Sequence, residues 1–173
     1  MAMGSVLLPS LGATTLKTLN APSASIANTE TIVFQYLVPA NLLRVGDRLR
    51  LWFTESKSGT TDIANMRVRL GAAGTTADAL LFSAGVLAAT SRAGGWILDF
   101  KLVSATTIQQ LGSSNTGQVV GYGQIGAPAF PAAVTITDAS ANALYLSVGV
   151  FSSSTNDTVA LQDAHLQIIP ATP

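Results

Sequence analysis

Apolar and polar residues alternate with a period of two along much of the chain, and no stretch sustains an apolar period of 3.6 residues. Asp47 to Thr54 sets Leu49, Leu51 and Phe53 on one face and Arg48, Arg50 and Trp52 on the other. Asn65 to Leu70 repeats the device, opposing Met66, Val68 and Leu70 to Arg67 and Arg69. Trp96 to Val103 opposes Trp96, Leu98, Phe100 and Leu102 to Asp99 and Lys101, while Thr31 to Val38 is β-branched and aromatic and stops at Pro39. Side chains of a strand point alternately to its two faces, so these segments predict strands with one face in a core. Further strands are expected at Thr14–Leu19, Ala79–Phe82, Thr106–Leu111, Val134–Thr137, Ala143–Phe151 and Thr158–Ile169. The stretches Glu55–Thr60, Gly71–Thr76, Ser113–Gly117 and Ser152–Asp157 are rich in turn residues and read as connections, and Ala40–Val45 is the one candidate helical turn. Short strands joined by Gly, Ser and Asn clusters point to an all-β sandwich or barrel. Its expected core is Val33, Leu49, Leu51, Phe53, Val68, Leu70, Leu98, Phe100, Leu146 and Val148.

Composition narrows the class. The 173 residues fit one domain, and no run of apolar residues approaches the ~18 that cross a membrane. Only 10% of residues are charged, and nine Lys plus Arg cancel nine Asp plus Glu. No basic excess exists to displace counterions from nucleic acid, so neither a membrane nor a nucleic acid is an expected partner. A neutral surface this poor in charge has little electrostatic defence against association, which predicts that part of it is covered by other subunits. Cysteine is absent, which excludes disulfides and thiolate metal sites.

A search for reaction chemistry nominates nothing. The single histidine, His165, has Asp163 two residues away on the same strand face, which suits a simple polar contact. No nucleophile elbow, metal-ligand spacing, phosphate loop or calcium loop accompanies it. The nine acids are scattered singly, so no carboxylate pair of the kind that cleaves glycosides is marked out. No cofactor and no enzymatic activity are expected. The constellation that stands out is Arg48, Arg50, Arg67, Arg69 and Asp99, on strands expected to be neighbours. It reads either as a solvated face with cross-strand ion pairs or as a polar seam between subunits. Gly121 to Pro131 is a Gly/Pro loop carrying Tyr122, Ile125 and Phe130, either a contact loop or a crossover over one mouth of the sandwich. Residues 1–16, with Val6, Leu7, Leu8 and Leu11, read as an arm that docks on something else, and residues 17–173 as the single β-domain.

The order of these signals resembles a β-domain found in tailed-bacteriophage structural proteins. The resemblance rests on the turn from Pro39-Ala40 to Gly46-Asp47, the basic strand after it, Arg67 to Gly71, the Trp-bearing strand Trp96 to Leu102, and the closing Leu166 to Pro170. It spans about Thr29 to Pro170. What it implies is a jelly-roll sandwich of the tumour-necrosis-factor-like type, usually trimeric, and it transfers no catalytic residue. The function it implies is a non-enzymatic virion protein that decorates or cements a capsid as a homotrimer bound to the major capsid protein. The alternative is a tail-associated adhesin that recognises a host surface glycan, with the Gly121–Pro131 loop at its tip. A carbohydrate-binding domain or hydrolase from outside viruses is a third reading, for which Trp52 and Tyr122 are the exposed aromatic candidates.

Overall fold

A computed structural model describes residues 13–19, 29–59, 64–83, 91–115 and 133–171, with the backbone alone at 64, 91–93 and 112–115. The described residues contain ten strands and no helix. In chain order these are β1 (Thr14–Leu19), β2 (Thr31–Val38), β3 (Arg48–Ser58), β4 (Ala64–Gly71) and β5 (Ala79–Ser83). They continue with β6 (Ser91–Ser104), β7 (Thr107–Asn115), β8 (Val134–Thr135), β9 (Leu144–Ser152) and β10 (Thr158–Ile169). One sheet has the order β1-β10-β3-β6-β7-β8 and the other β2-β9-β4-β5. Strands β1 with β10, β2 with β9, β3 with β6, and β4 with β5 pair antiparallel as nested partners. That nesting is a long hairpin folded over on itself, which is the jelly-roll sandwich, with β7 and β8 appended to one sheet.

The core lies between the sheets because the alternating strands turn their apolar faces towards each other. Leu49, Leu51, Phe53, Leu98, Phe100 and Leu166 from one sheet meet Met66, Val68, Leu70, Leu146 and Val148 from the other, all at 0–1% exposure. Val33 packs against the expected core only from its edge. The β2–β9 register slips between Ile32 and Phe34, and the extra residue hands the inward position to Phe34, leaving Val33 half-buried.

The first residues of two stretches read as turns are strand. β3 runs to Ser58 and β7 to Asn115. In β3 the inward parity of Leu49, Leu51 and Phe53 simply continues through Glu55 and Lys57, both buried. Charged residues are tolerated at these inward positions because each has a partner inside. Trp96 Nε1 donates to Glu55 Oε1 at 2.9 Å, and Lys57 Nζ lies 3.0 Å from Asp157 Oδ2. Beyond them the chain bends at Gly59 (φ +122°), where a Cβ would lie 2.4 Å from the Asn156 carbonyl oxygen and from Asp157 Oδ1.

Ala40–Val45 forms turns and no helix. Asn41 takes a left-handed φ of 63° and Gly46 one of 98°, which breaks any helical run. Asp47 then ties the loop down: its Oδ2 accepts from Arg44 N at 2.9 Å and its Oδ1 from Ala171 N at 2.8 Å. Gly46 N donates to the Leu102 carbonyl at 2.7 Å, which joins this loop to the end of β6.

Candidate interaction surface

The four arginines expected on adjacent strands are divided between the two sides of the sandwich. β3 and β6 are neighbours, so Arg48, Arg50, Asp99 and Lys101 share the outer face of the six-stranded sheet. β4 belongs to the other sheet, which carries Arg67 and Arg69 to the opposite outer face. Nothing in the alternation of a single strand says which sheet it will join, so the seam read from sequence is two separate clusters.

On the six-stranded sheet Arg50 lies directly across from Asp99 in the register and grips it with two bonds, Nε to Oδ1 at 2.9 Å and Nη2 to Oδ2 at 3.0 Å. The bond to Asp99 outweighs the cost of burial and raises the arginine pKa further. One position along the same face, Arg48 lies opposite Lys101, and neither has an acidic partner among the described residues. Arg48, Lys101, Gly46, Pro170 and Ala171 line a cavity of about 330 Å³. Further along, Trp52 packs against its register partner His165 with ring centroids 5.1 Å apart. Thr18 Oγ1 lies 3.2 Å from His165 Nδ1, and Asp163 Oδ1 lies 3.4 Å from Nε2, so the histidine is held between two polar groups.

On the opposite face the guanidinium groups converge on Glu30, an acid that sequence reading left unassigned. Arg69 Nε and Nη2 donate to its two oxygens at 2.7 and 2.9 Å, and Arg67 Nη1 donates to Oε2 at 2.6 Å. Glu30 precedes β2, which is not adjacent to β4; β9 runs between them. The arginines reach across β9 because its outward residue there is Gly149, whose added Cβ would lie 3.0 Å from Glu30 Oε1. Burial by itself raises the Glu30 pKa, but the bonds from Arg69 and Arg67 together outweigh it and hold the carboxyl below its ordinary value. Arg67 also lies over the Phe151 ring, 4.8 Å from its centroid.

A third polar cluster is internal. Glu55 is fully buried, accepts only the Trp96 indole N–H, and leaves Oε2 without a hydrogen-bond partner. Burial drives its pKa up to about 7 against the lowering effect of that bond. It was missed because Glu55 stood in a stretch assigned to a turn; its parity with Phe53 was the available signal. Among the described residues no three His, Cys, Asp or Glu side chains come together as metal ligands would. Tyr122, Ile125 and Phe130 of the candidate loop, and Val6, Leu7, Leu8 and Leu11 of the candidate arm, lie outside the described residues.

No protein-family model matches the chain, and no characterised protein matches it in sequence. Among solved structures it is similar to the CBM2 module of the evolved Dit of Lactobacillus casei BL23 phage J-1. That similarity has a TM-score of 0.36 at 7% identity and covers 93% of this chain and 98% of the other. It is also similar to the structure of infectious bursal disease virus, Gx strain, at a TM-score of 0.30 and 12% identity. There it covers 94% of this chain but only 41% of the other. Both likenesses are low, and the jelly-roll assignment rests on the strand order itself.

Proposed function

We propose that the protein is a non-enzymatic structural component of a virion, a decoration protein that binds the capsid of a tailed bacteriophage as a homotrimer. The observation that carries this reading is the mismatch between surface and charge. Among the described residues six large apolar side chains stand exposed, including Val45 at 59%, Leu37 at 44% and Leu111 at 43%. They do so on a chain of zero formal net charge. Such a surface has little electrostatic defence against association, and closed cyclic symmetry would cover part of it without open-ended growth. The phage-type sequence pattern selects three subunits, and its jelly-roll expectation agrees with the strand order. In this reading the major capsid protein is the partner and the particle surface is the working location.

One observation favours the tail-adhesin alternative, in which the partner is a host surface glycan. Trp52 faces outward beside polar side chains of the six-stranded sheet, an arrangement on which a sugar ring can stack. Two measurements separate the readings. Light scattering at micromolar concentration should give the trimer mass, and saturable binding to empty capsids should raise their rupture temperature. A stable monomer overturns the trimer. Binding on a glycan array that is lost in Trp52→Ala, with no binding to capsids, overturns the decoration role in favour of the adhesin.

A further inference from the structure

The acids of this chain are spoken for in a way its cations are not. Glu30 is held by Arg67 and Arg69, Asp99 by Arg50, Asp157 by Lys57, and Glu55 by Trp96. Asp47 and Asp78 accept from backbone amides, Asp138 from Ser140, and Asp163 touches His165; Asp62 lies outside the described residues. Arg44, Arg48 and Lys101 have no acidic partner among the described residues. All three sit at the same end of the sandwich, on or beside the loop between β2 and β3.

Arg48 and Lys101 are the sharper case, because the register sets them directly opposite each other on paired strands. Like charges facing across a sheet repel, and the same face shows how the fold relieves this elsewhere, by placing Asp99 against Arg50. Beside Arg48 and Lys101, where an acid would relieve them, lies a half-open pocket of about 330 Å³ lined also by Gly46, Pro170 and Ala171. Its walls are fixed. Gly46 and Leu102 are hydrogen-bonded at 2.7 Å, and Asp47 turns both carboxylate oxygens away to Arg44 N and Ala171 N. Gly46 also keeps the cavity open, since a Cβ there would lie 3.0 Å from the Ala171 Cβ in a backbone conformation of φ +98°.

We propose that this cavity binds a single oxyanion, a carboxylate, sulfate or phosphate group, held between the Arg48 guanidinium and the Lys101 ammonium. A guanidinium beside an ammonium offers charge-assisted donors on two sides of one anion, and filling the site removes the repulsion between the two cations. None of the described acids of this chain, or of a second copy, is left to supply the group, since each is already engaged.

The test uses the full chain with sodium sulfate and sodium acetate as probes, at constant ionic strength balanced with sodium chloride. Amide resonances of Gly46, Arg48, Lys101 and Ala171 should move saturably with sulfate or acetate but not with chloride. Sulfate alone assigns the source to a sulfate or phosphate group, and acetate with equal affinity assigns it to a carboxylate. Arg48→Gln or Lys101→Gln should each weaken binding about tenfold or more, and the double variant should abolish it. The control Lys17→Gln should bind unchanged. The double variant should also melt higher than the parent without sulfate and show a smaller sulfate-dependent rise in Tm, since only the site's own share of that rise is lost. Shifts that do not saturate, match those in chloride, or persist in the double variant overturn the proposal.

Discussion

Replacing Glu55 by Gln isolates a carboxyl that the fold buries completely, with no charge partner and one oxygen unbonded among the described residues. In the folded chain burial pushes its pKa to about 7 from an ordinary 4.5. The folded state therefore binds more protons than the unfolded state between those values, and stability falls as pH rises through that window. The penalty is absent below the unfolded value and complete above the folded one, and the gap corresponds to on the order of 3 kcal/mol. Gln keeps the acceptor for Trp96 Nε1, bonded at 2.9 Å in the parent, and it cannot ionise. The variant should match the parent near pH 4 and exceed its stability near pH 8 by up to about 3 kcal/mol. Chemical denaturation at closely spaced pH values, read as the difference between variant and parent, cancels the contributions common to both chains. The buried Lys57–Asp157 pair at the same end of the sandwich is common to both chains. A difference that stays flat from pH 4 to pH 8, or that falls with rising pH, refutes the reasoning.

Other outcomes follow from the same structure. Phe53→Ala and Phe100→Ala remove rings exposed at 0% and 1%, and each should cost about 3–5 kcal/mol in urea denaturation. Losses under about 1 kcal/mol for both would place those rings outside the core. Glu30→Gln leaves Arg67 and Arg69 without their carboxylate and should cost about 1–3 kcal/mol at neutral pH. Because the folded Glu30 pKa is lowered, that contribution is present above its ordinary value of 4.5 and fades as pH falls through the folded value. Denaturation at two pH values checks both the size and the sign. Deleting residues 1–13, which leaves β1 and its pairing with β10 intact, should impair capsid coating if the arm docks there; unimpaired coating removes the arm from the proposed function.

The alternation of residues was enough to name the strands and most of the core. Leu49, Leu51 and Phe53, and likewise Leu98 and Phe100, sit inward because a strand exposes every second side chain to the same environment. That rule is local, and it fails where one extra residue enters a pair. The register slip at Phe34 gives that residue the fully inward position and leaves Val33 at the core's edge, and no property of the segment Thr31–Val38 taken alone reports it. Polar character also misled where tertiary partners exist. Glu55 and Lys57 look like the start of a turn until Trp96 and Asp157, distant in sequence, are placed beside them. The candidate surface was legible as a set of residues and illegible as an arrangement. Period-two spacing exposes Arg48, Arg50, Arg67 and Arg69, but sheet membership is a long-range choice. The strand order sent two of them to Glu30 on one side and left Arg48 facing Lys101 on the other. Pairing across the sheets, which only the folded chain establishes, determines which charges are neutralised and which remain to meet a ligand.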